Sequence, residues 1–304
     1  MLEEVGPRLR GAPLRVPMPA PLVSVYIPCY NGARFIGRCI ESLLRQTLRP
    51  DEIILIDDGS TDRTPQIAAR YPIKVVPQGS NKGVGAARNR AFAEARNELV
   101  AGTDADCQAR PDWLERLVAC MTETHVAAAG GPAVETVLDT VPDRWRDAHM
   151  AMHWGPNQVR NPRYLFGCNT IMSKSAVVAC GGYDERFKAG TEDPDICLRL
   201  QRHGYEFVYE PRAVVMHLRR DSLRTVFDAY WRYNCFARYE PICLRELIAD
   251  TRFRLTGAWW RLWQKDWRRR NLDLLGLDLL FPLYMAYRNI RLYLDHVAYG
   301  KTFP

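Results

Sequence analysis

The stretch Val23–Asp62, VSVYIPCYNGARFIGRCIESLLRQTLRPDEIILIDDGSTD, determines the predicted fold because it is typical of a strand, a helix and a second strand in succession. VSVYIP (Val23–Pro28) and EIILID (Glu52–Asp57) are short, β-branched apolar runs of the kind found in buried strands. Between them, apolar residues recur at helical spacing: Phe35, Ile36, Cys39, Ile40, Leu43 and Leu44. A helix joining two strands over this length predicts a βαβ unit and therefore a parallel sheet.

The same alternation continues along the chain. TDRTPQIAARY predicts a helix, IKVVPQ a strand, GVGAARNRAFAEA a helix and ELVAGTD another strand. The fold class is therefore α/β, a mostly parallel, open, Rossmann-like sheet, which binds ligands at the carboxyl ends of its strands. Three loops, PCYNG, DDGSTD and TDAD, each follow one of these strands. We expect them to line one crevice.

Charge and tryptophan are concentrated in the last part of the chain. Of 304 residues with a net charge of +7, residues 1–218 hold 26 basic and 26 acidic side chains, and residues 219–304 hold 16 and 9. Five of the eight tryptophans also lie after residue 218. We predict a disordered lead at 1–21, a main domain at 22–218 and a basic, Trp-rich helical tail at 219–304. Such a tail favours an anionic surface, either a membrane or a nucleic acid.

Cysteine usage and the N-terminal segment indicate a reducing compartment. The nine cysteines include no CxxC pair, so neither a disulfide framework nor a zinc ribbon is indicated. The first twenty residues are rich in Pro and Arg and contain no apolar signal-peptide core. These features favour the cytosol.

Acidic side chains and an aromatic ring follow the predicted strands. Asp104 and Asp106, two residues apart, repel each other unless a positive group lies between them, and Mg²⁺ or Mn²⁺ prefers such carboxylate oxygens. Tyr30 offers a ring for stacking on a nucleobase, and Asp58 offers an acceptor for an imide N–H. Each motif alone also fits an ordinary solvated turn, and in DDGSTD a helix cap explains the residues equally well.

Together, five stretches resemble one enzyme family. These are the opening stretch from Val23, NKGVGAARNRA, GTDADC, GCNTIMSKSAVVACGGYDERFKAGTEDPD and the segment that ends in VVMH. In this order they resemble family 2 glycosyltransferases, which are inverting enzymes with the A-type nucleotide-sugar fold. The similarity covers roughly residues 22–218. No QxxRW stretch follows, which disfavours a processive polysaccharide synthase.

The resemblance implies a role for each matching position on the donor side. Pro28 and Tyr30 match positions that flank the base, and Asp58 matches the acceptor of its N–H. The remaining matches lie near the sugar and the diphosphate: Arg88 near the nucleotide and diphosphate, Asp104 at the ribose or sugar, Asp106 as metal ligand, and His217 completing the metal or diphosphate site.

For the acceptor side, the resemblance implies that Asp193 is the catalytic base and that Glu192 lies beside it. Glu192, Asp193 and Asp195 begin a predicted helix, where its dipole favours carboxylates. The dipole alone does not explain three acids within four positions. Sugar transfer with inversion also needs one base that accepts the proton of the acceptor hydroxyl, and Asp193 would serve as that base.

Other motifs leave alternatives open. Arg88 stands where a GxGxxG loop would need its third glycine, which disfavours a dinucleotide site. His149 and His153 lie one helical turn apart without a third acid nearby, so we expect a partly buried pair rather than zinc. Residues 140–165 could form a lid on the acceptor side. The tail tryptophans Trp260, Trp263 and Trp267 fit either a helix docked on the main domain or an interfacial membrane helix.

We therefore expect a metal-dependent, inverting, non-processive glycosyltransferase. It uses a nucleotide-sugar donor, UDP-sugar by preference, with Mg²⁺ or Mn²⁺, and a glycan or lipid-linked acceptor of the cell envelope. The expected location is cytoplasmic, peripheral on the inner face of the cell membrane through the tail, with no nucleic acid as partner. The alternatives are a metal-dependent nucleotidyltransferase and a nucleic-acid binder using the tail. PCYNGARF is a poor phosphate loop for the first, and the acidic loops oppose the second.

Overall fold

The computed structural model describes residues 21–187, 190–235, 244–253, 257 and 259–299. The predicted N-terminal lead therefore lies outside the described residues, apart from Pro21. Strands in the described chain are β1 (Val23–Cys29), β2 (Glu52–Asp57), β3 (Lys74–Pro77), β4 (Leu99–Thr103), β5 (Cys107–Ala109), β6 (Val126–Gly130), β7 (Ala133–Glu135), β8 (Val159–Arg160), β9 (Asn169–Ser173), β10 (Glu206–Tyr209) and β11 (Val215–His217).

Helices alternate with these strands and then follow them. Their bounds are α1 (Ile36–Leu44), α2 (Thr64–Ala68), α3 (Val84–Glu94), α4 (Trp113–Ala119), α5 (Val141–His149), α6 (Lys174–Ala179), α7 (Glu192–Arg202), α8 (Leu223–Cys235), α9 (Leu244–Phe253), α10 (Trp259–Arg269) and α11 (Leu275–Tyr299). The β1–α1–β2–α2–β3–α3–β4 alternation agrees with the prediction. Helices α1 and α2 are shorter than the predicted segments.

The main sheet has eight strands in the order β3-β2-β1-β4-β9-β6-β10-β8. Strands β3, β2, β1 and β4 pair in parallel, as the βαβ pattern predicts. Strand β9 runs antiparallel to both β4 and β6 and joins the two halves of the sheet. A smaller sheet has the order β5-β11-β7, with β11 antiparallel to β5 and parallel to β7. Its strands β5 and β7 follow the carboxyl ends of β4 and β6 along the chain.

The main core forms where the β-branched strands meet the apolar faces of the helices. Ile27 of β1 and Ile54 of β2 are fully buried, as are Ile36 and Ile40 on the inner face of α1. Completely burying one such side chain contributes about 1.5–3 kcal/mol. This core fixes the strand ends and the loops that follow them.

The tail helices build a second core together with α5. Trp145 of α5 is completely buried against Phe227, Phe281 and Met285 of α8 and α11. The helical segment thus begins at Leu223, close to the predicted boundary at residue 218, while its core includes a helix from the main domain. Among the described residues, no helix is both long and apolar enough to cross a bilayer.

One expectation about this region is wrong. His149 does not form a partly buried pair with His153, because its side chain is only 1% exposed and contacts Asp266 of α10 and Asp278 of α11. The packing of α5 against the tail brings in the acids that the local sequence lacked.

Candidate active site

The loops after β1 and β2 are joined by the side chain of Asn31. Its Oδ1 accepts hydrogen bonds from the backbone N–H of Thr61 at 2.8 Å and of Asp62 at 3.3 Å. Asn31 has a positive φ of 53°, a conformation that Asn adopts more readily than most residues. PCYNG and DDGSTD therefore lie on one edge of the sheet, as predicted.

Asp58 joins the crevice to the segment between β3 and α3. Its carboxylate accepts hydrogen bonds from Gln78 Nε2 at 2.8 Å and from the backbone N–H of Lys82 and Gly83 at 2.7 and 2.9 Å. Pro28 is half-buried at the end of β1, and the ring of Tyr30 beside it is 50% exposed. The exposed ring of Tyr30 therefore offers a face on which a nucleobase can stack.

Arg88 of α3 is the centre of an acidic cluster. Its side chain is 2% exposed, and its guanidinium pairs with Asp193, with Glu192 at 3.0 Å and with Asp104 at 3.7 Å. The ring of Tyr183 lies 5.4 Å from the guanidinium carbon. The mutual repulsion of Glu192 and Asp193 at the start of α7 is thus offset by one buried cation. The implied contact of Arg88 with a diphosphate stays a prediction.

Asp193 is held from two sides at the start of α7. One carboxylate oxygen meets Arg88, and the other accepts a hydrogen bond from the N–H of Gly167 at 2.8 Å. Burial raises the pKa of Asp193 to about 7; the charge of Arg88 opposes this shift, and that of Glu192 adds to it. A methyl group at Gly167 would lie 2.2 Å from the Asp193 carboxylate, so only glycine permits this approach.

Its acidic neighbours are less available. Glu192 accepts from the N–H of Gly190 at 2.7 Å and pairs with Arg88, and its side chain is 5% exposed. Asp195 pairs with Arg199 one turn further along α7, at 2.5 Å. Asp193 combines a raised pKa with 22% side-chain exposure, whereas Asp195, which is 23% exposed, is held by Arg199.

Asp106 and His217 form a second cluster at the end of β11. Asp106 Oδ2 lies 3.2 Å from His217 Nε2, and His217 Nδ1 lies 2.9 Å from Glu135 Oε1. Burial lowers the pKa of His217, but the charges of Asp106 and Glu135 outweigh burial and raise it well above the ordinary value. For Asp106, burial raises the pKa, and the contact with His217 more than reverses this. Each carboxylate of the TDAD loop thus has its own basic partner, Arg88 for Asp104 and His217 for Asp106.

This second cluster also fits a divalent metal. A neutral imidazole that donates Nδ1–H to a carboxylate leaves Nε2 free as a ligand, and Glu135 holds His217 in this way. Asp106 would supply the oxygen ligand. Two residues away, the buried Oδ1 of Asp104 has no hydrogen-bond partner among the residues that the structure describes. The thiol of Cys107 also lies near. A hydrogen bond with Cys168 and burial raise its pKa well above the ordinary value, which disfavours thiolate ligation.

Two contributors were missed in the sequence. Glu135 lies in an unremarkable segment 82 residues before its partner His217, and no local pattern marks it. Gly167 could have been noticed in GCNT, the stretch that resembles the family, but its role depends on Asp193 being adjacent in space.

Comparisons with known proteins identify a family for the chain. The model of glycosyl transferase family 2 matches residues 24–184, and a model of the N-terminal domain of galactosyltransferase matches residues 149–220. The pre-mycofactocin glycosyltransferase of Mycobacterium tuberculosis is 31% identical over 211 residues, 66% of this chain and 44% of its own length. This chain therefore spans less than half of that relative.

Two further proteins extend the likeness. The N-acetylglucosaminyl-diphospho-decaprenol L-rhamnosyltransferase of M. tuberculosis is 29% identical over 66% of this chain and 76% of its own length. A mannosyltransferase from Pyrobaculum calidifontis, solved with GDP-Man and Mn²⁺, superposes with a TM-score of 0.51 at 18% identity, covering 92% of this chain and 76% of that one. At this identity the superposition shows the fold alone, which is the A-type glycosyltransferase fold.

The family model covers more than half of the chain, and its match contains the three strand-end loops and Arg88. The chain belongs to glycosyl transferase family 2.

Proposed function

We propose that the chain is an inverting, non-processive, metal-dependent glycosyltransferase that moves one sugar from a nucleotide-diphosphate donor to an acceptor hydroxyl. The observation that carries this proposal is the convergence on Arg88 of Asp104, from the end of β4, and Asp193, from the start of α7. A carboxylate suited to bind the donor and one suited to accept a proton thereby share one guanidinium partner.

For the donor, the proposal assigns the crevice between the strand-end loops. Tyr30 and Pro28 flank the base, Asp58 accepts its N–H, and Asp104 contacts the ribose or sugar. Asp106 and His217 would hold Mg²⁺ or Mn²⁺, which supplies charge stabilisation for the departing diphosphate. The bound Mn²⁺ of the mannosyltransferase supports this assignment. UDP-sugar is the proposed donor.

For the transfer step, Asp193 accepts the proton of the acceptor hydroxyl. The hydroxyl oxygen then forms a bond to the anomeric carbon on the side opposite to the diphosphate, whose bond to that carbon breaks. One displacement of this kind inverts the anomeric configuration. Arg88 and Gly167 hold the Asp193 carboxylate in place, and Glu192 holds Arg88.

The acceptor is proposed to be a cell-envelope glycan or a lipid-linked sugar. The rhamnosyltransferase relative, named for a diphospho-decaprenol acceptor, supports the lipid-linked alternative. The experiment is a screen of purified chain with Mn²⁺ against UDP-, GDP- and dTDP-sugars, with and without polyprenyl-diphosphate sugars. Release of nucleoside diphosphate that depends on acceptor supports the proposal. Release of pyrophosphate from a nucleoside triphosphate would instead favour a nucleotidyltransferase.

The pH profile follows from the raised pKa of Asp193. Below about pH 7 the carboxylate is increasingly protonated and cannot accept a proton. We expect kcat/KM to be half-maximal near that pH and to level off above it. Well below that pH, kcat/KM should fall about tenfold for each pH unit. In Asp193→Asn the residual activity should lose this dependence. A wild-type profile that is flat through this range would contradict the assignment of the base.

The tail is proposed to hold the enzyme at an anionic membrane surface. Trp260, Trp263 and Trp267 stack along one side of α10 at centroid distances of 5.2 and 5.3 Å, and Trp260 and Trp267 are 44% and 55% exposed. Large apolar side chains of α11 are exposed as well: Leu279, Leu280, Leu283, Tyr287, Ile290 and Leu294. Exposed tryptophans beside arginines suit the level of lipid headgroups.

Point substitutions test this contact better than truncation does. Removing residues from about 258 onward would also remove Phe281 and Met285 from the second core and expose Trp145. We expect Trp260→Ala with Trp267→Ala to weaken binding to anionic vesicles about tenfold or more, since burying one large apolar side chain contributes about 1.5–3 kcal/mol. Val178→Ala, an exposed residue of α6, is the matched control.

Salt provides the second arm of the vesicle experiment. Binding of the intact chain should fall as salt rises, because attraction between exposed charges is screened over about 10 Å at 0.1 M ionic strength. An intact chain that ignores anionic vesicles at low salt would show that the tail only packs on the catalytic domain.

A further inference from the structure

Three helices bring His149, Asp266 and Asp278 together beside the second core. The His149 side chain is 1% exposed, and both aspartates are completely buried. His149 Nε2 lies 2.7 Å from Asp266 Oδ2 and 3.7 Å from Asp278 Oδ1. One ligand atom from each residue lies within 4.8 Å of the others.

The cluster is short of positive charge and of hydrogen bonds. Two buried carboxylates face one imidazole, and buried carboxylates require a cation, a proton or a metal. Lys265 is nearby, but its ammonium group donates to the carbonyl of Ala148 at 2.6 Å. In the described part of the chain, Asp278 Oδ2 and His149 Nδ1 have no hydrogen-bond partner. Both unpaired atoms belong to residues of this cluster, so its hydrogen bonds alone do not satisfy it.

We propose that His149, Asp266 and Asp278 bind a transition-metal ion, Zn²⁺ by preference, that ties the tail to α5. A divalent ion with two carboxylates and a neutral imidazole gives a cluster without net charge. Tetrahedral zinc with bonds of about 2.1 Å separates its ligands by about 3.4 Å, a value that the two distances to His149 Nε2 bracket. One imidazole with two carboxylates is a donor set that zinc accepts.

Outer contacts hold two of the ligands in orientation. Trp145 Nε1 donates to Asp278 Oδ1 at 3.0 Å, and this is the carboxylate oxygen that lies 3.7 Å from His149 Nε2. Asn271 Nδ2 donates to Asp266 Oδ1 at 3.1 Å, which leaves Oδ2. Such partners around metal ligands typically change metal affinity about 10- to 100-fold when they are removed.

The test uses the full chain carrying Asp106→Ala and His217→Ala, so that the candidate active site does not compete for metal. After treatment with a chelator, the protein is titrated with Zn²⁺, and bound zinc per chain and the melting temperature are measured. We expect one bound zinc and a rise in melting temperature. A Co²⁺-loaded sample should show a tetrahedral spectrum without thiolate charge transfer, which excludes the cysteines.

Variants then assign the ion to this cluster. His149→Gln and Asp278→Asn should weaken zinc binding at least 100-fold, and Asn271→Ala should weaken it about 10- to 100-fold without removing a ligand. His153→Gln, one turn beyond His149, is the matched control and should bind zinc like its parent. No zinc bound by the parent at equimolar metal, or equal binding by the ligand variants and the parent, would overturn the proposal.

Discussion

Asp106→Ala is expected to reduce sugar transfer by about three orders of magnitude. If Asp106 is a metal ligand as proposed, its loss removes several kcal/mol of charge stabilisation at the diphosphate. Asp106 is the carboxylate in contact with His217 Nε2, at 3.2 Å. Donor affinity in the presence of Mn²⁺ should fall as well, which calorimetry with the nucleotide sugar would measure. The fold should persist, since the backbone carbonyl of Asp106, which binds the N–H of Leu218 at 2.8 Å, is retained.

Two further variants serve as comparison and control for Asp106→Ala. His217→Ala should impair transfer and donor binding less than Asp106→Ala does, because the proposed carboxylate ligand, Asp106, stays. Asp51→Ala removes a half-buried carboxylate at the opposite end of the sheet and should leave both unchanged. Full activity of the wild-type chain in excess EDTA would show that the metal assignment is wrong.

Asp193→Asn is expected to lower kcat by about 10² to 10⁴, the range that loss of a general base typically causes. The amide keeps the shape of the side chain, and its oxygen can still accept the hydrogen bond from Gly167 N–H. It removes the basic oxygen and one of the carboxylates that pair with Arg88. Donor affinity should be nearly unchanged, which separates a chemical defect from a binding defect.

The neighbouring acids provide the comparison. Glu192→Gln should cost less than Asp193→Asn, because Glu192 holds Arg88 and Gly190 rather than facing an acceptor. Asp195→Asn should stay near wild type in kcat, since its partner is Arg199 on the outer turns of α7. If Asp193→Asn turns over at a near wild-type rate and Asp195→Asn is inactive, the base has been assigned to the wrong residue.

Local patterns in the sequence were sufficient for the first half of the fold. The apolar runs at Val23 and Glu52 and the helical spacing from Ile36 indicate β1, α1 and β2, and the structure has all three. The common crevice also followed, because the carboxyl ends of parallel strands share one edge. The insertion of β9 between β4 and β6, antiparallel to both, depends on pairings between distant segments, for which a short apolar run carries no information.

The electrostatic partners inside the site could not be predicted in the same way. The acidic motifs were visible, but Arg88 pairs with Glu192 across 104 residues and His217 with Glu135 across 82. Such pairs form because burial makes an isolated charge expensive, and which charges are buried together depends on the packed fold. The resemblance to the family supplied the residues of the site, and the structure supplied the contacts among them.

The anomeric configuration of the transferred sugar tests the central claim most directly. With the donor found by the nucleotide-release screen, NMR of the product made by wild-type chain and Mn²⁺ would show which anomer forms. A single displacement assisted by Asp193 predicts that the configuration at the anomeric carbon is opposite to that of the donor. A product that retains the donor configuration would contradict the account.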